Sequence, residues 1–136
     1  MSYLLDTNVC IALINGTAGQ VRRRYLQATG HGVLPAISSI VAHELWYGVA
    51  RSERVQQNAN RLATFLGSAV EVLDYSERDA QAAGEIRAEL EREGRRIGEY
   101  DTLIAGQAFV RNLVLVTANT GEFGRVKGLV VEDWTE

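Results

Sequence analysis

Cysteine, proline and lysine each occur once in the 136 residues, as Cys10, Pro35 and Lys127. A single cysteine excludes an intramolecular disulfide framework and a thiolate metal cluster, and it fits a reducing cytoplasm. With one proline, no low-complexity segment and no internal repeat, nothing marks a domain boundary, so 1–136 reads as one domain. No apolar run approaches the ~20 residues a membrane span needs, and no basic region leads into an apolar one at the N-terminus. The expectation is a soluble chain that is not exported and makes no membrane contact. Net positive charge is also missing: the balance is −3, which argues against a surface coated for duplex binding. The scarcity of lysine leaves thirteen arginines as the other cations. Arginine grips phosphate oxygens through a flat, two-pronged donor set, although a GC-rich genome produces the same bias without any function.

What is present is ordinary for a globular protein, with 46% hydrophobic and 23% charged residues. A chain of this length buries roughly two-thirds of its unfolded surface. Short apolar runs predict strands over 3–6, 33–37, 70–73 and 113–117, with a further edge strand over 129–131. Between them, apolar periodicity predicts helices over 9–14, 18–28, from Ser38 or Ser39 to about 50, 55–66, from Ser76 through Leu90, and 99–111. Thr7 or Asn8 is the expected cap of the first helix, and Gly67 the expected end of the fourth. Ala80, Ala83, Ile86 and Leu90 trace the expected inner face of the fifth. Strands alternating with helices indicate an α/β fold, a mostly parallel central sheet sandwiched by helices.

Four acids fall where carboxylates are hardest to accommodate. Asp6 ends the run Tyr3-Leu4-Leu5, Glu44 interrupts an apolar helix, Asp101 opens another, and Glu122 follows the most apolar strand by a few residues. Carboxylates at the edge of a core lose solvation and repel one another, so several together call for a cation. An oxygen-only donor set selects hard divalent ions such as Mg²⁺ or Mn²⁺. In parallel sheets, ligands gather beyond the carboxyl ends of the strands, where Asp6 and residues 119–122 lie. The plain alternative for Asp101 is a helix-start acid favoured by the macrodipole.

These residues sit in a recognisable order. Leu4-Leu5-Asp6-Thr7-Asn8 opens the chain, and Ser39 leads to Glu44-Leu45-Trp46-Tyr47-Gly48. Gly94-Arg95-Arg96-Ile97-Gly98-Glu99-Tyr100-Asp101 follows, then Val116-Thr117-Ala118-Asn119-Thr120-Gly121-Glu122-Phe123. Over essentially its whole length the chain resembles a PIN-domain ribonuclease of the VapC toxin type. The resemblance implies Mg²⁺-dependent endonucleolytic cleavage of RNA, with Mn²⁺ as a substitute. It also implies a VapB-like antitoxin partner, a homodimer, and an RNA substrate such as initiator tRNA cut in the anticodon loop. Carried over residue by residue, it makes Asp6, Glu44, Asp101 and Glu122 catalytic, with Asp6 and Asp101 as direct metal ligands. Asn119 stands where many PIN domains have an aspartate. Thr7, Asn8, Ser39 and Thr117 are candidates to orient ligands or waters, and equally to cap helices or close strand ends. Arg22, Arg23, Arg24, Arg95 and Arg96 are candidates to grip RNA at the rim of the site.

Other readings fit less well. A haloacid-dehalogenase-like phosphatase needs a second aspartate where this chain has Asn8, and a receiver domain needs an acidic pair that is missing. Structure-specific DNA nucleases of the same superfold carry more acids. No sequence feature brings His31 and His43 together as an acid/base pair. The most different alternative, a catalytically silent PIN-like module binding RNA or protein, usually loses the acids that remain here.

Overall fold

The computed structural model describes residues 2–136. Five strands, β1 (Tyr3–Leu5), β2 (Ala36–Ser38), β3 (Glu71–Leu73), β4 (Val114–Val116) and β5 (Val131–Glu132), form one sheet in the order β3-β2-β1-β4-β5. Every pairing is parallel, with Leu5 opposite Val116 and Ser38 opposite Leu73. Helices α1 (Thr7–Asn15), α2 (Gly19–Thr29), α3 (Ser39–Ala50), α4 (Val55–Ser68), α5 (Glu77–Arg92), α6 (Glu99–Val110) and α7 (Thr120–Phe123) connect them. The α/β expectation therefore holds, and the sheet is wholly parallel among the described residues. The chain moves outward from β1 to β2 and β3, then returns to the other side of β1 with β4. That reversal is a topological switch point, and parallel sheets bind ligands beyond the carboxyl ends of the strands at such a point, here β1 and β4.

The core explains the element types. Leu4, Leu5, Ile37, Val114, Leu115 and Val116 are at most 1% exposed, because a parallel sheet is covered on both faces and its strands need no polar alternation. Each of these strands is shorter than its apolar run. The second starts at Ala36 rather than Val33, since Val33 and Leu34 lie outside the sheet and are exposed. Gly67 does not end α4, which continues through Ser68.

The inner face of α5 also differs from the expected one. Ala80 is exposed, and the buried positions are Asp79, Ala82, Ala83 and Leu90. The stripe is rotated because Asp79 turns inward, held by three partners. Its carboxylate takes Arg111 Nε at 3.0 Å and Nη2 at 2.8 Å, Gln107 Nε2 at 3.0 Å and the Ser76 amide at 2.8 Å. Ser76 completes a capping box with the same residue. Helices α5 and α6 meet closely at Gly106, where a Cβ would stand 2.6 Å from the Ala83 nitrogen. Only glycine permits that approach.

Candidate active site

Asp6 is the first residue after β1 and is only 8% exposed. Its amide still belongs to the sheet, donating to the Val116 carbonyl at 3.0 Å, while its carboxylate Oδ1 accepts the Val9 amide at 3.0 Å. Asp6 is thus the N-cap of α1, ahead of both expected caps, Thr7 and Asn8. The extended backbone imposed by the sheet hydrogen bond aims the side chain over the helix start. One oxygen is held by the helix, so the side chain is oriented before any ligand arrives. Burial raises the Asp6 carboxyl above its ordinary value, against hydrogen bonds from Thr117 and the helix-start amides, and the Glu44 charge adds to the rise.

Glu44 lies on α3, half-buried, and its Oε1 accepts the Thr7 hydroxyl at 2.8 Å. This bond ties α1 to α3. Thr117 is fully buried after β4, beside Asp6, and its hydroxyl accepts the Asn119 amide at 3.0 Å. Thr7 and Thr117 therefore orient site carboxylates or the loop beside them. Ser39 instead accepts the Tyr75 amide, and Asn8 is exposed. The Asn119 side-chain amide donates to Glu122, so the residue standing in for an aspartate serves as a partner of Glu122. The short helix α7, which the apolar pattern did not reveal, carries Glu122.

Asp101 occupies the first turn of α6, half-buried. Its carboxyl is pushed up to about 6, first by burial and then by the charges of Glu122, Asp6 and Glu44. A helix-start acid alone would be stabilised in its charged form by the macrodipole. The opposite shift follows from a tertiary cause: acids from three other chain segments, Glu122, Asp6 and Glu44, act on Asp101.

Among the described residues no three His, Cys, Asp or Glu side chains close into a ready-made metal cage. The donor set nevertheless fits a hard divalent ion. It consists of carboxylate oxygens whose mutual repulsion a cation would relieve, and Mg²⁺ ordinarily takes one or two carboxylates and completes its shell with water and substrate oxygens. Asp6 is buried, while Asp101, Glu44 and Glu122 are half-buried, and burial raises the carboxyls of Asp6 and Asp101.

The candidate rim arginines are not equivalent. Arg24 is engaged at 3.2 Å with Glu132, and Arg23 folds onto Gln20. Arg22 and Arg95 are exposed and make no ion pair among the described residues, and Arg96 lies 3.8 Å from Glu91. Arg125, not anticipated from the sequence, donates to the Arg96 carbonyl at 2.9 Å and joins the turn before Asp101 to the segment after Glu122. His43 meets Tyr100, with ring centroids 5.9 Å apart, and not His31.

A wholly parallel α/β sheet with acids gathered at its switch point defines a class. The PIN domain profile matches residues 3–129, and the chain belongs to the PIN domain family. Within that family it is a ribonuclease of the VapC type. The tRNA(fMet)-specific endonuclease VapC of Shigella flexneri is 42% identical over 135 residues, 99% of each chain. Ribonuclease VapC2 of Rickettsia felis is 42% identical over 134 residues, 98% of each chain. Among solved structures, VapBC2 from Rickettsia felis bound to a promoter DNA fragment matches with a TM-score of 0.89 at 40% identity, covering 98% of this chain and 99% of that one. DNA-bound VapBC from Salmonella typhimurium matches with a TM-score of 0.89 at 42% identity, covering 98% of each chain.

Proposed function

We propose that this ribonuclease is the toxin of a VapBC pair, hydrolysing RNA phosphodiester bonds endonucleolytically with Mg²⁺, or Mn²⁺ in its place. The observation that carries this reading is the match to VapC ribonucleases over nearly the whole chain with Asp6, Glu44 and Asp101 all present, and the acids that act on Asp101 support it. The raised carboxyls of Asp6 and Asp101, beside Glu44 and Glu122, are what a site built for a cation shows in its absence. Asp6 and Asp101 are its holders. A divalent ion held there would supply an acidified water molecule and charge to offset that of the phosphodiester. Glu44, aligned by Thr7, and Glu122, partnered by Asn119, supply acceptors for the proton released as water attacks phosphorus. Arg22, Arg95 and Arg96 lie on exposed surface suited to phosphate oxygens.

The RNA is initiator tRNA, cut in the anticodon loop, by analogy with the tRNA(fMet)-specific relative. The partner is a VapB-like antitoxin, as in the VapBC complexes of similar fold. Its apolar segment has a fitting receptor in a groove of about 250 Å³ between α1, α3 and α4, where Ile11, Ile14 and Leu45 line the wall and Glu44 the rim. Val41, on the same helix as Leu45, is fully buried core and not part of the groove. The working form is a homodimer in the cytoplasm; no described helix is long and apolar enough to cross a membrane.

Expression of the chain alone in a bacterium, followed by sequencing of RNA ends after brief induction, tests the proposal. Growth arrest and new ends in the initiator tRNA anticodon loop are expected, and Asp6→Asn abolishes both. Normal growth with soluble protein present would refute it.

A further inference from the structure

The side of α3 next to Glu44 is aromatic where a solvent-facing helix side is ordinarily charged. His43, Trp46 and Tyr47 are spaced i, i+3 and i+4 and form one stripe. All three are exposed, Trp46 by 42% and Tyr47 by 60%. Tyr100, 48% exposed on α6, extends the stripe by packing its ring against His43 with the hydroxyl 3.4 Å from Nε2. At the far end the Arg51 guanidinium lies over the Tyr47 ring, 5.3 Å from its centre. The stripe borders the site: the His43–Tyr100 contact joins α3 to α6 one residue before Glu44 on the first and one residue before Asp101 on the second.

We propose that this stripe is a nucleobase-stacking platform that holds single-stranded RNA against the acidic patch, with Tyr100 and His43 nearest the scissile bond and Tyr47 with Arg51 farther along. The inference rests on the ribonuclease reading above and adds the means of grip. Four carboxylates repel the phosphodiester they must cut, so affinity beside them has to come from contacts without negative charge. Aromatic faces provide such contacts for any base, and a guanidinium stacked on a ring adds one of favourable sign. From residue 43 to residue 51 the helix rises about 12 Å, room for about two splayed nucleotides. Each ring keeps a polar edge, in the His43 imidazole, the Trp46 indole and the two tyrosine hydroxyls, as base recognition uses and a dry apolar interface does not. His43, Trp46, Tyr47, Arg51 and Tyr100 are here positioning residues, distinct from the acids.

Trp46 provides a direct readout, since the other tryptophan, Trp134, is 1% exposed. A short mixed-sequence single-stranded RNA is titrated into the full-length protein in EDTA, so that no cleavage occurs, and tryptophan emission is followed. Stacking predicts quenching, retained in Tyr100→Phe and Tyr47→Phe. In Tyr100→Leu and Tyr47→Leu the RNA binds about tenfold more weakly. With metal restored, the leucine variants raise KM for the same RNA and leave kcat within about twofold. Unquenched emission, or leucine variants that bind RNA like the parent, overturns the proposal. So does a light-scattering result in which the leucine variants turn a dimer into monomers with RNA affinity per protomer unchanged, since the stripe would then be a protein interface. Quenching and weakened variants in a protein that cuts no RNA would sink the nuclease reading alone.

Discussion

The Thr7 hydroxyl donates to Glu44 Oε1 at 2.8 Å, joining the first residue of α1 to the middle of α3. Thr7 follows Asp6 directly, so one short segment supplies a buried carboxylate and orients a second. Thr7→Val keeps the shape and deletes the donor. Cleavage should fall about tenfold, and the melting temperature should change little, because the bond is only partly buried. Steady-state cleavage beside a thermal melt measures both, and unaltered cleavage would make the contact incidental.

Asp101 makes the metal-free protein sensitive to pH in a defined direction. Its folded carboxyl, at about 6, lies above the ordinary 3.8, so the native state holds that proton more tightly than the unfolded chain. The resulting penalty is absent below the ordinary value, grows as pH rises, and is complete above the folded value. Asp101→Asn removes it. In EDTA near neutral pH the variant should melt a few degrees (~2–4 °C) above the parent, a modest figure because solvent screens a half-exposed group. The difference should close towards pH 4, while cleavage with metal collapses. A variant less stable than the parent near neutral pH would show that Asp101 is not crowded by its neighbours.

Asp79 has the opposite sign. Burial raises its carboxyl, but Arg111, the Ser76 amide and Gln107 outweigh burial and bring it down to about 2. The stability it contributes is therefore present above the ordinary aspartate value and lost as pH falls towards the folded one. Arg111→Ala strands a buried charge and should cost about 3 kcal/mol in urea unfolding. Arg111→Lys should recover only part of this, since an ammonium cannot reproduce the two-pronged contact. RNA cleavage well below the melting temperature should be untouched in both.

Antitoxin and metal should compete. An antitoxin arginine or lysine inserted among Asp6, Glu44 and Asp101 would displace the ion while an apolar segment covers the Ile11, Ile14 and Leu45 groove. A peptide from the antitoxin should weaken Mn²⁺ binding, and Mn²⁺ should weaken the peptide by the same factor, measurable by calorimetry in both orders. Independent binding would show that inhibition acts away from the ion.

Much of the molecule was legible along the chain. Apolar runs such as Leu113 to Thr117 announced buried strands, and their alternation with amphipathic segments announced a parallel sheet, because strand and helix periodicities are local. Asp6, Glu44 and Asp101 stood out because an acid inside an apolar segment is costly wherever the segment folds. The four motifs in order carried the PIN resemblance. Proximity is not local, and there the tertiary structure decided. Asp6 became a helix cap because a sheet hydrogen bond to Val116 fixed its backbone, and Asp101 became a crowded acid because three other segments delivered Glu122, Asp6 and Glu44. Gln107 on α6 and Arg111 just beyond it turned Asp79 inward and rotated the buried face of α5 away from Ala80. Charge interactions and close approaches such as Gly106 on Ala83 depend on distances between segments remote in sequence, and only the packed fold sets those distances.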